Sequence, residues 1–158
     1  MSYITFRKTL TDDIFNEMSE KYPTRSSLSG VELTQNITFC SFPSDEHFKI
    51  KLLLNKATSE KLNPYEVFTV FFTVVQEACA ANGYYSEIDE IYYENISSLT
   101  YINITEVMRI IEFLVQKEYL YIFDNKITSV YNVRTFETVM SARAISRKSK
   151  YKQRHGED

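Results

Sequence analysis

From residue 63 onward the hydrophobic positions change period in a definite order: helical, broken, helical, helical, then alternating. Asn63 suits a helix cap, Pro64 has the fixed φ of a first helical position, and Glu66 stands where a capping-box acid reaches back to the cap. The run Val67, Phe68, Val70, Phe71, Phe72, Val74 and Val75, continuing to Ala81, is apolar around most of its circumference and predicts a buried central helix. Asn82-Gly83 ends it, because glycine tolerates the left-handed conformation that closes a helix, and Tyr84-Tyr85 supplies a short first strand. Ile88, Ile91, Tyr92, Asn95, Ile96 and Leu99 fall at helical spacing and mark a second helix with one buried face. After a turn at Thr100, Tyr101 and Ile102, the cap pair Asn103 and Glu106 opens a third helix with Ile104, Val107, Met108, Ile111, Leu114 and Val115 inward. Residues 119–123 read as a strand, Asp124-Asn125 as a turn and residues 126–131 as the returning strand. A helix over residues 135–145 follows, with Phe136, Val139, Met140 and Arg143 on one face.

The first 62 residues read as a smaller α/β unit. Thr11 caps a helix whose first turn holds Asp12 and Asp13, favourable at the positive helix end, with Ile14, Phe15, Met18 and Tyr22 as its apolar stripe. Pro23 stops it. Residues 36–42 alternate, a Pro-Ser-Asp turn follows, and Phe48, Ile50 and Leu52 form a second alternating run with Lys49 and Lys51 on the solvated face, which predicts a hairpin. Residues 52–62 read equally well as a helix, since Leu52, Leu53, Leu54 and Lys56 favour one.

Helix, short strand, helix, turn, helix and hairpin, in that order, are the elements of a winged helix-turn-helix. The expected fold class is therefore α+β, a winged helix-turn-helix with an N-terminal helix plus β-hairpin extension. The expected divisions are an extension over residues 1–62, a winged-helix domain over 63–140 and a basic, flexible tail over 141–158.

The 158 residues suffice for one compact domain with an appended unit, and 12 Tyr with 11 Phe exceed what disordered chains carry, so most of the chain should fold. No apolar run of membrane-spanning length occurs, and the opening residues have early charges and no apolar core of signal-peptide length, so neither a membrane span nor secretion is indicated and the cytoplasm is the expected location. Cys40 and Cys79 then read as packed, reduced thiols. The net charge of -3 hides an asymmetry. Residues 141–158 hold six of the 18 Lys and Arg but only two of the 21 acids, leaving 12 bases against 19 acids elsewhere. A phosphate backbone is thus repelled by the body and attracted by the tail.

Catalysis has no candidate constellation. Gly30, Gly83 and Gly156 are too scattered to cradle a phosphate, and no Gly-Lys-Ser/Thr element exists. His47, expected on a hairpin turn, and His155 lack partners at zinc-ligand spacing, so no metal and no cofactor are expected. Glu87, Asp89, Glu90 and Glu94 spread over a helix surface without a nucleophile. The expectation is a protein that is not an enzyme.

For DNA, the third helix offers Thr105, Glu106, Arg109, Glu112, Gln116 and Lys117 outward; Arg109 suits guanine reading, while Glu106 and Glu112 oppose phosphates. Asn125 and Lys126 at the wing suit a minor-groove or phosphate contact. The tail supplies Arg143, Arg147, Lys148, Lys150, Lys152 and Arg154, with Tyr151 interleaved for stacking. Tyr84, Tyr85, Tyr92, Tyr93, Tyr101, Tyr119, Tyr121 and Tyr131 are a possible packing or dimer surface.

The stretch from NGYY at residues 82–85 to KEYLYIFDNKIT at 117–128, followed by RKSKYKQR at 147–154, resembles the N-terminal winged-helix domain of phage replication organisers and DnaD-like primosomal proteins of low-GC Gram-positive hosts. The resemblance covers residues 63–131 and the basic tail. It includes no counterpart of residues 1–62, nor of the C-terminal domain through which those organisers oligomerise and meet the helicase loader. It implies a noncatalytic, homodimeric DNA-binding protein of a phage, plasmid or other mobile element, acting on double-stranded DNA in replication initiation or transcriptional regulation. The acidic body and third helix keep a second reading open, an interaction protein that docks on a host or viral protein.

Overall fold

The computed structural model describes residues 11–21, 47–82, 84–136 and 138. It is a mixed α+β arrangement. The helices are α1 (Asp12–Lys21), α2 (His47–Ser59), α3 (Pro64–Asn82), α4 (Tyr92–Thr100) and α5 (Ile104–Gln116), with strands β1 (Ser86–Glu87), β2 (Tyr121–Phe123) and β3 (Lys126–Thr128). Residues 130–136 are again helical. Among the described residues no helix is long and apolar enough to cross a membrane.

The start signal at Asn63 is present in its cap half: its side-chain oxygen accepts from the Tyr65 N–H at 2.9 Å and the Glu66 N–H at 3.4 Å. From there α3 buries Val67, Val70, Phe71, Val74, Val75, Ala78 and Cys79 on one side, whereas Phe68 and Phe72 of the expected buried run face outward, so the helix is covered on one side and not all round. Leu53 and Ala57 of α2, Ile96 of α4, and Ile110 and Leu114 of α5 complete the core with it. Phe71 stands edge-on to Tyr119 and Tyr131, each ring centroid 6.0 Å away.

The three strands form one antiparallel sheet in the order β1-β3-β2. Ser86 and Glu87 face Ile127 and Lys126; Tyr121, Ile122 and Phe123 face Thr128, Ile127 and Lys126. Asp124 and Asn125 both take positive φ, 49° and 58°, as a two-residue hairpin turn requires. The Thr128 hydroxyl donates to the Tyr84 carbonyl, tying the last strand to the segment that leaves α3. The Tyr121 hydroxyl donates to the Asp12 carboxylate, which attaches α1 to the outer strand.

Several elements differ from the sequence expectation. The second strand of the N-terminal hairpin is instead helix α2, beginning at His47, which is therefore not a turn residue. Three alternating positions are too few to compete with the i, i+3, i+4, i+7 set formed by Ile50, Leu53, Leu54 and Ala57, of which Leu53 and Ala57 are fully buried. The hairpin's first strand, residues 36–42, lies outside the described residues, as do the side chains of the expected α1 stripe and residues 139–158.

Strand β1 lies two residues beyond Tyr84-Tyr85, whose rings are buried in the core. The second helix starts at Tyr92, leaving Ile91 exposed along with Leu99. On α5, Met108 faces solvent, while Ile110 and Phe113 are buried. The last strand ends at Thr128, because Ser129 turns the chain: the Asn132 N–H donates to its hydroxyl at 3.1 Å and residues 130–136 become helical, which places Tyr131 in a helix. The tyrosines proposed as a surface mostly serve the core, with Tyr84, Tyr85, Tyr92 and Tyr131 buried.

Candidate nucleic-acid interface

The outward face of α4, its turn and α5 is shaped by three short-range devices. Tyr101 follows α4 in the left-handed conformation, φ 58° and ψ 29°, which reverses the chain. Ser97 donates its hydroxyl to the Ile102 carbonyl at 2.5 Å, closing the turn. Asn103 then caps α5 by accepting from the Thr105 N–H at 2.9 Å. Its expected partner Glu106 lies instead 3.4 Å from Arg109.

That ion pair is one of three that share a consequence. Arg109 is held against Glu106, Lys117 lies 3.4 Å from Glu60, and Lys126 lies 3.6 Å from Asp124. Each cation selected for DNA contact within the described residues thus has a carboxylate beside it. The pairs are partly exposed, so each contributes about 0–1 kcal/mol and exchanges readily for a phosphate. Their effect on the field is larger than on stability, since they cancel the positive potential that would steer a polyanion.

The candidates also sit apart. Arg109 lines a cleft of about 140 Å³ with Glu60, Leu62, Glu112, Phe113 and Gln116, beneath the link between α2 and α3. Lys117, at the C-terminal end of α5, lies over the Phe113 ring at 5.9 Å. Lys126 is folded over the Tyr85 ring at 5.9 Å, and Asn125 occupies the hairpin tip with its carbonyl accepting from the Ile88 N–H at 2.7 Å. Arg143, Arg147, Lys148, Lys150, Lys152 and Arg154 lie outside the described residues.

Four large side chains at α4, its turn and α5 are exposed: Tyr101, which the sequence reading includes in its packing or dimer surface, and Ile91, Leu99 and Met108, which it places on buried faces. Tyr101 is 96% exposed. The signal for Tyr101 was available: a large aromatic at the turn between two helices, where a small residue would fit the left-handed backbone better. The arrangement provides an aromatic ring and aliphatic groups able to pack on sugar or base, with paired charges around them. Among the described residues no cluster of three or more His, Cys, Asp or Glu is placed to hold a metal ion. Comparison with models of protein families, with curated proteins and with solved structures found no match to this chain.

Proposed function

We propose that residues 63–131 are a winged helix and that the protein is a noncatalytic binder of double-stranded DNA. The observation that carries this reading is topological. Helices α3, α4 and α5 enclose β1 in chain order, the hairpin β2-β3 follows, and the sheet order β1-β3-β2 inserts the last strand between the other two. In this reading the first turn of α5, which follows the short turn from α4, would enter a major groove, Tyr101 would stand beside it and the hairpin would serve as the wing. The basic residues of 141–158 supply the phosphate attraction that the paired cations of the body do not. Replication initiation or transcriptional control of a phage, plasmid or other mobile element is the setting that the sequence resemblance suggests.

The three ion pairs favour a second reading, in which the α4–α5 face docks on a protein partner and the acidic body avoids nucleic acid. Fluorescence anisotropy of the full chain with labelled duplex DNA, titrated across salt concentration, separates the two. The DNA reading expects binding at low salt that falls steeply as salt rises, and removal of residues 146–158 should weaken it at least ten-fold and flatten the salt dependence. Arg109→Ala should weaken it further, whereas Glu106→Gln, which leaves Arg109 without its carboxylate, should strengthen it. Absence of binding to any duplex at low salt would sink the DNA reading and leave the protein partner.

A further inference from the structure

The outer side of α3 bears no charge along the positions Tyr65, Phe68, Thr69, Phe72, Gln76 and Ala80, which recur at helical spacing. Tyr65 is 82% exposed, Phe68 42% and Phe72 45%, and the Phe68 and Phe72 rings stack with centroids 6.1 Å apart. Leu52 of α2 adds another exposed apolar group. Tyr65 and Phe68 themselves line a groove of about 500 Å³ between α2 and α3, together with Lys51, Leu54, Asn55 and Thr58 of α2 and Pro64 and Thr69 of α3. Exposed aromatics thus both wall the groove and, through Phe72 stacked on Phe68, extend the apolar surface beyond it. A two-fold rotation would bring the same patch of a second copy against it, apolar surface to apolar surface.

The charges at the margins agree. Lys51 stands on the α2 flank, while Glu66 stands two residues before Phe68 and so projects from the opposite flank of α3. A two-fold axis running roughly along α3 brings the Lys51 flank of one copy to the Glu66 flank of the other, twice per dimer. Helices of 13 and 19 residues lying side by side present a face on the order of 500–600 Å². Two such faces exceed the roughly 1,000 Å² total that a specific interface needs.

We infer that the α2–α3 face is the site at which a second copy of this chain docks, with Phe68 and Phe72 at its centre and Lys51 paired to Glu66 across it. The inference stands whatever the α4–α5 face binds.

Sedimentation velocity of the full chain over a range of protein concentration tests it. The expected result is a monomer–dimer equilibrium. Phe72→Glu should weaken it at least ten-fold, and far-ultraviolet circular dichroism should show its helix content retained. Lys51→Glu and Glu66→Lys should each weaken association, and the double variant should recover at least half of the lost affinity, a result independent of how Phe72→Glu folds. A monomer at every concentration would show that something other than a second copy covers the face, such as another segment of this chain or a different protein, and would overturn the inference. Equal losses in the single and double charge variants would overturn the proposed pairing and with it the two-fold arrangement.

Discussion

Asn132 donates its side-chain amide to the carbonyl of Val75 at 2.8 Å, across 57 positions of sequence and without access to solvent. The same nitrogen lies 3.2 Å from the Cys79 sulfur, and the Asn132 side-chain oxygen accepts from the Ser129 hydroxyl at 2.6 Å. One buried amide thus fastens the helix at 130–136 to α3. Buried polar groups with all partners present fix one arrangement, and losing a partner exposes the full desolvation cost.

Asn132→Ala should therefore destabilise the protein by about 2–4 kcal/mol, combining lost hydrogen bonds with a cavity. Urea unfolding followed by circular dichroism measures this. A loss below about 0.5 kcal/mol would mean that the amide is dispensable. Ser129→Ala should cost less, about 1 kcal/mol, because the Val75 contact survives.

Two helices end on residues that the local backbone does not favour. Lys61 after α2 and Glu118 after α5 have φ of 62° and 65°. In each case the following N–H reaches back to close a Schellman motif, Leu62 to the Ala57 carbonyl and Tyr119 to the Leu114 carbonyl, both at 2.9 Å. Glycine adopts this conformation without the Cβ conflict. Lys61→Gly and Glu118→Gly should each raise stability by about 0.5–1 kcal/mol, read as a higher urea midpoint at unchanged slope. Tyr101→Gly should gain similarly, yet lower duplex affinity if its exposed ring contacts DNA. A Tyr101→Gly variant that binds duplex as tightly as the parent would remove that ring from the interface.

Tyr92 makes a prediction in alkali. Burial, then the neighbouring Tyr93 and Glu77, raise its phenol well above the ordinary value of 10.0, and its hydroxyl has no partner among the described residues. Above pH about 10 the unfolded chain releases this proton while the folded chain keeps it. The folded state then binds more protons, so its stability is full below that pH and declines as pH rises beyond it. Tyr92→Phe should flatten that decline in thermal midpoints taken from pH 8 to 11. At neutral pH it should change stability by no more than about 1 kcal/mol, since no hydrogen bond is lost. An alkaline decline identical to the parent's would refute this account.

Legibility in the sequence tracked how local each cause is. The Asn63 start, the Asn103 cap and the Asp124-Asn125 turn follow from neighbours within three residues, and all are present. The helix reading of residues 52–62 holds as far as Ser59, whereas its start at His47 is hidden because Phe48, Ile50 and Leu52 satisfy a two-residue period by coincidence; the burial of Leu53 and Ala57 shows which period the fold uses. The burial of Phe113 depends on where the α2–α3 link, with Glu60 and Leu62, approaches α5, which no window of α5 contains. The three ion pairs divide likewise. Arg109 with Glu106 and Lys126 with Asp124 are near in sequence and could have been anticipated, whereas Lys117 with Glu60 required the fold.

The hairpin has a mechanical consequence. Each of its strands is three residues long, and the bond from the Ile88 N–H to the Asn125 carbonyl clamps its tip to the chain leaving β1. An arm of about 10 Å, pinned at its end, cannot sweep for a target. It acts as a fixed shoulder, so whatever rests against α5 must already have a contour that meets both surfaces together. Recognition at this edge would select by the partner's curvature, with little adaptation from the protein.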